Sequence, residues 1–184
     1  MTRLTKVLGA LLGAAGLIAL SATAAAAQSV GPATPAEPMT TQQKPIQTSR
    51  ATADYVEKAA IGNLFEIQSS ALALKQADSS AVKTFAQQMI TDHTNAGKAL
   101  EAGVTSASQQ ATQIPNKLDK AHEAKLNDLR KVTGRDFDAA YLKAQLAGHQ
   151  EALKLHRDYA QKGDNAVLKK TATNAADIIE HHLQ

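Results

Sequence analysis

The chain has no cysteine and no tryptophan, and its 184 residues include only three phenylalanines and three tyrosines. Without cysteine there is no disulfide, no thiolate nucleophile and no thiolate metal site, so stability must come from packing and any metal must be held by His, Asp or Glu. So few rings offer no stacking platform for bases, and no basic run is longer than Lys169-Lys170. Nucleic-acid binding, which calls for a Lys/Arg stripe and usually aromatic platforms, is therefore not expected. Gly-rich phosphate loops, nucleophile elbows and His-Glu-x-x-His runs are missing as well.

Proline is also scarce and unevenly spread. Four of the five prolines (Pro32, Pro35, Pro38, Pro45) fall between Gln28 and Arg50, among Ala, Thr, Gln and Ser with no apolar period, so residues 28–50 read as a disordered linker. Ahead of it, residues 1–27 have the three parts of a secretory signal: Arg3 and Lys6, an apolar run from Val7 to Leu20, and the small-residue stretch Ala22-Thr23-Ala24-Ala25-Ala26-Ala27. Cleavage is expected after about Ala27, giving an exported, periplasmic protein with an outer-membrane association left open. The run is shorter than the ~20 residues of a membrane span, so no transmembrane anchor is expected in the mature chain. Residues 28–184 then carry 18 basic and 17 acidic side chains, a net charge of only +1, and are enough for one domain, placed at 51–184.

What is present after Arg50 is helical periodicity. One helix is expected from about Thr52 to Gln76, and Asp78 or Ser79 caps a second that reaches about Ala102, with Gly103 as a left-handed terminator. Residues 104–114 form a polar connection too long for a tight hairpin. Pro115 and Asn116 open a shorter helix to about Val132, followed by long helices from about Asp136 to Gln161 and Asn165 to His182. Two antiparallel hairpins joined by a crossover give the expected fold class: an all-α, ferritin-like four-helix bundle with a long crossover and one additional shorter helix.

Each long helix carries an apolar stripe with an ionisable residue in it. The stripes are Tyr55, Ala59, Gly62, Glu66, Ser69, Ala73; Val82, Ala86, Met89, His93, Ala96, Leu100; Leu142, Leu146, His149, Leu153, His156, Ala160; and Leu168, Ala172, Ala175, Ile179, His182. Counted from the turns at Asp78 and Asp164, Glu66, His93, His149 and His182 lie within about one helical turn of a common height. Three imidazoles and a carboxylate in one layer form a candidate site for one divalent transition metal ion, with Zn, Fe, Mn and Cu all compatible. Asp92, Asp177 and His181 are candidates for outer positions. A di-iron ferroxidase is disfavoured, because the residues three before His93, His149 and His182 are Ile90, Leu146 and Ile179 rather than glutamate.

The stretches Tyr55-Val56-Glu57-Lys58-Ala59-Ala60 with Glu66, Ala81-Val82-Lys83-Thr84-Phe85-Ala86-Gln87-Gln88-Met89-Ile90-Thr91-Asp92-His93, Phe137-Asp138-Ala139-Ala140-Tyr141-Leu142 with His149, and His182-Leu183 resemble the bacterial exported ferritin-like family of domain of unknown function 4142 (DUF4142). The resemblance spans about Asp54 to Leu183. It implies a ferritin-like fold and export, and it puts Glu66, Asp92, His93, His149 and His182 on the family's recurring polar positions. Gly148 and His181 stand where the family usually has Asp and Glu. The resemblance implies no reaction. The expected function is thus a periplasmic metal-binding bundle, in metal handling or envelope stress, acting alone, as a homo-oligomer or with an envelope protein. The alternative is a non-enzymatic envelope interaction module with a metal-free polar core.

Overall fold

The computed structural model describes residues 48–108 and 112–184; the expected signal, and the expected linker as far as residue 47, lie outside them. Five helices follow in order: α1 (Arg50–Gln76), α2 (Ser80–Ser106), α3 (Lys120–Arg130), α4 (Gly134–Lys162) and α5 (Ala166–His182). Among the described residues there is no strand, and no helix is long and apolar enough to cross a membrane. The protein is an all-α bundle.

Side chains of the expected type start most of the helices. Ser49 Oγ accepts the Thr52 N–H at 3.0 Å, so residues given to the linker already cap α1. Ser79 caps α2, and the Asp138 carboxylate of α4 accepts the N–H groups of Asp78 and Ser79 at 3.1 and 2.9 Å, tying the α1–α2 turn to another helix. Asn165 Oδ1 accepts from Val167 and Leu168 at the start of α5. Each cap satisfies donors that a helix leaves orphaned, worth about 0.5–2 kcal/mol. α4 is the exception: its N-cap Thr133 makes no side-chain bond, and the chain enters through Gly134 at φ +62°, where a side chain would be strained.

Long-range bonds fix the topology. Thr52 meets Tyr159 and Ser70 meets Tyr141, so α1 and α4 are antiparallel; Gly103 faces Leu168 and Thr171 while Asp92 meets His182, so α2 and α5 are antiparallel too. The segment between α2 and α4 must therefore run the length of the bundle. A 27-residue helix is about 40 Å long, of which α3 supplies only about 16 Å. Extended chain covers roughly twice the distance per residue. That need explains a correction: Pro115 and Asn116 do not open α3, which begins at Lys120 behind the Asp119 cap, and residues 112–119 stay irregular.

Two further expectations fail for packing reasons. Gly103 does not terminate α2, which continues to Ser106; a Cβ on Gly103 would meet Thr171 Oγ1 at 2.8 Å and Leu168 Cδ2 at 3.1 Å, so its smallness serves close approach of α5. In α4, Leu142 and Leu146 are 46% and 52% exposed, while Phe137, Tyr141 and Gln145 are buried. The buried stripe runs one residue earlier, because the hydroxyl of Tyr141 finds Ser70 at 2.8 Å and the ring stacks on Phe137. A tyrosine with its hydroxyl satisfied buries more apolar surface than a leucine.

Among the described residues the core has two apolar parts. One gathers Tyr55, Val56, Leu100, Val104, Tyr159 and Leu168; the other gathers Phe65, Val82, Leu126, Leu129, Phe137 and Tyr141. Buried polar residues (Glu66, Ser69, His93, Gln145, His149 and His156) come from the helices around these clusters.

Candidate metal centre

His93 on α2, His149 on α4 and His182 on α5 converge. Their ring centroids are 5.5 Å (His93–His149), 5.6 Å (His93–His182) and 5.2 Å (His149–His182) apart, and one ring nitrogen from each lies within 4.8 Å of the others. His93 and His149 are buried, and the His182 side chain is only 2% exposed. Helical spacing puts each on the inward stripe, as the sequence predicts.

Hydrogen bonds hold the rings from outside. His149 Nδ1 lies 2.8 Å from the Gln145 carbonyl oxygen, and His182 Nε2 lies 2.9 Å from Asp92 Oδ2. A carbonyl and a carboxylate oxygen only accept, so both of these nitrogens carry hydrogen. With both rings neutral, His149 Nε2 and His182 Nδ1 are bare lone pairs facing each other at 3.1 Å; with one of the rings protonated, the same contact is an N–H···N hydrogen bond. His93 Nδ1 meets Asn63 Oδ1 at 2.9 Å, while its Nε2 is buried with no hydrogen-bond partner. Three rings held by outer oxygens, with inner nitrogens lacking a donor, form the usual arrangement around a metal.

Burial pushes His93 down to about 3, with the rings of His149, His182 and His156 adding to the effect, and burial also holds His149 below its ordinary value. A charged imidazolium loses its hydration in this layer, and the carboxylate in hydrogen-bond contact with the cluster is Asp92, on His182 Nε2.

Glu66 is placed differently from the sequence expectation. Its Oε1 is 3.9 Å from His149 Nδ1, the outer nitrogen already given to Gln145, so the carboxyl sits behind that ring rather than among the inner nitrogens. Its Oε2 has no partner, and burial raises its carboxyl to about 8. The reason is helical height: Asn63, one turn earlier on α1, is level with His93 and takes the contact. Asp92 holds His182 as an outer residue, whereas Asp177 and His181 lie on the exposed face of α5.

Asn63 and the Gln145 carbonyl are partners that the expected set lacks, whereas His156, expected on the α4 stripe, is buried there outside the cluster. Asn63 was findable, since it and His93 are equally far in sequence from Asp78; a backbone carbonyl leaves no such trace. His156 bonds Tyr55 through Nδ1 at 3.1 Å and is held down to about 4 by burial. His122 packs edge-on against Phe65 and bonds Asp119, apart from the cluster.

A cavity of about 340 Å³ opens beside the cluster, with His93, His149 and Glu66 in its wall. Gly62 of α1 and Gly148 of α4 also line it: a Cβ on Gly62 would meet nothing within 4 Å, and one on Gly148 would meet only Glu66 Oε1, at 2.8 Å.

Comparison with known proteins gives a family and no activity. The sequence profile described as "Domain of unknown function (DUF4142)" matches residues 37–184, and the chain belongs to that family. No curated protein and no solved structure matches it.

Proposed function

We propose that this member of the DUF4142 family is an exported ferritin-like bundle that binds one divalent transition metal ion through His93, His149 and His182, in metal handling or an envelope stress role. The observation that carries the reading is the 3.1 Å approach of two inner nitrogens whose outer nitrogens both face oxygens that only accept. Two nitrogens that each bind a tetrahedral zinc ion at its normal distance stand ~3.3 Å apart, so the spacing fits a shared cation. The unpartnered His93 Nε2 is the natural third donor.

The donor set is three neutral imidazoles, which suits Zn(II), Cu(II) or Fe(II) better than hard, oxygen-seeking cations. Asn63, the Gln145 carbonyl and Asp92 orient the rings and fix which nitrogen is bare. When bound, the metal would supply Lewis acidity at its remaining coordination positions. Glu66, behind His149, stays outside the ligand set in this reading, which narrows the four-residue expectation to three histidines.

The test is thermal unfolding of the purified chain with and without added Zn(II), followed by chelation. Saturating Zn(II) at a hundred times its dissociation constant stabilises by about 2.7 kcal/mol, and chelation reverses it. Unfolding indifferent to metal and chelator would favour the metal-free interaction module.

A further inference from the structure

We propose that the cavity beside the histidine cluster is a binding chamber for a small organic acid, whose carboxylate completes the coordination of the metal while its apolar body fills the space between α1 and α4. This inference rests on the metal reading above. His93 and Glu66 both line the chamber, and His93 Nε2 and Glu66 Oε2 are buried and without a partner. Ile61, Phe65, Leu155 and Ile179 give it apolar wall between the polar side chains. About 340 Å³ lies at the lower end of the range for small-molecule sites.

Two features give the chamber its depth and its charge preference. Glycine inside a helix costs about 0.5–1 kcal/mol relative to alanine, yet Gly62 in α1 borders open space rather than a neighbouring atom. What its missing side chain provides is room inside the cavity. At the rim stand Lys58 and Lys125. Lys125 pairs with Glu151 at 3.7 Å, whereas Lys58 is exposed and in no ion pair among the described residues. The remaining rim charge, Asp119, is already bonded to His122. A dication held by three neutral rings favours an anionic oxygen donor at its remaining position, and Lys58 favours its entry.

The test uses the full mature chain loaded with Co(II), whose visible bands report the coordination sphere, titrated with benzoate and with neutral benzamide. Benzoate is expected to change the bands saturably and benzamide to leave them unchanged. Gly62→Leu should load Co(II) as the wild type does but bind benzoate at least about tenfold more weakly, a loss of about 1.4 kcal/mol. Gly62→Ala, which adds one methyl into open space, should retain the fold and show a smaller loss. Co(II) loading without any response to benzoate, an equal response to benzamide, or undiminished binding in Gly62→Leu would overturn the chamber and leave the metal reading standing. Failure to take up Co(II) would overturn both.

Discussion

His149 and His182 present their inner nitrogens to each other at 3.1 Å, while the outer nitrogen of each is held by an oxygen that cannot donate. One hydrogen per neutral ring is therefore spent on the outside. Burial holds His149 below its ordinary value, which disfavours a proton on that ring.

Asp92 acts on the metal only through His182. Asp92→Asn keeps the size of the side chain and removes its charge, so His182 loses a strong acceptor and part of its donor strength. Competition titration against a chromogenic chelator should show Zn(II) affinity lower by about 10–100-fold, with the far-ultraviolet spectrum unchanged. Asn63→Ala should act similarly through His93. Unaltered affinity in both would mean that the outer bonds do not orient the rings.

The metal-free protein should be most stable near pH 6.5. His93, His149 and His156 are all depressed by burial, so their contribution is complete above the unfolded value of 6.5 and is lost as pH falls towards their folded values, about 3 for His93 and about 4 for His156. Glu66 has the opposite sign. Its raised value means a contribution complete below the unfolded value of 4.5 and lost as pH rises through about 8. Between 4.5 and 6.5 the three histidines outweigh the one carboxyl, so stability rises with pH there. Melting temperature across pH 4 to 9 should show a dome, and Glu66→Gln should flatten its alkaline side while leaving the acid side in place.

Two glycines should respond in opposite ways. Gly103→Val forces a side chain into Thr171 and Leu168 and should cost about 1–3 kcal/mol in denaturant unfolding. Gly62→Ala meets nothing and should be neutral or stabilise by up to about 1 kcal/mol. Equal effects would contradict the assigned α2–α5 contact.

The position of the α4 stripe can be checked in the same assay. Tyr141 is buried against Phe137 and bonded to Ser70, so Tyr141→Ala should cost about 3–5 kcal/mol. Leu146, half exposed, should tolerate Leu146→Gln within about 0.5 kcal/mol.

The helices were legible in the sequence wherever a local signal decides them. The cap at Ser79 and the 3–4 spacing around His93 and His182 depend on neighbours within a turn, and counting residues from two turns put Glu66 in one layer with three histidines, of which the histidines converge. The failures are non-local. Leu142 and Tyr141 are both acceptable inward residues, and only Ser70, on another helix, selects the tyrosine. Gly103 resembles a terminator until α5 is packed against it. Glu66 and Asn63 lie one turn apart on the same face, so helical period alone does not say which of them meets His93. The start of α3 was set by the distance the crossover has to span rather than by Pro115.

The central claim is the three-histidine metal site, and elemental analysis of the protein purified from its native host tests it most directly. The account predicts about one transition-metal ion per chain in the wild type and its loss in the His93→Ala/His149→Ala double variant. Metal well below one equivalent in the wild type, or an unchanged content in the double variant, would contradict it.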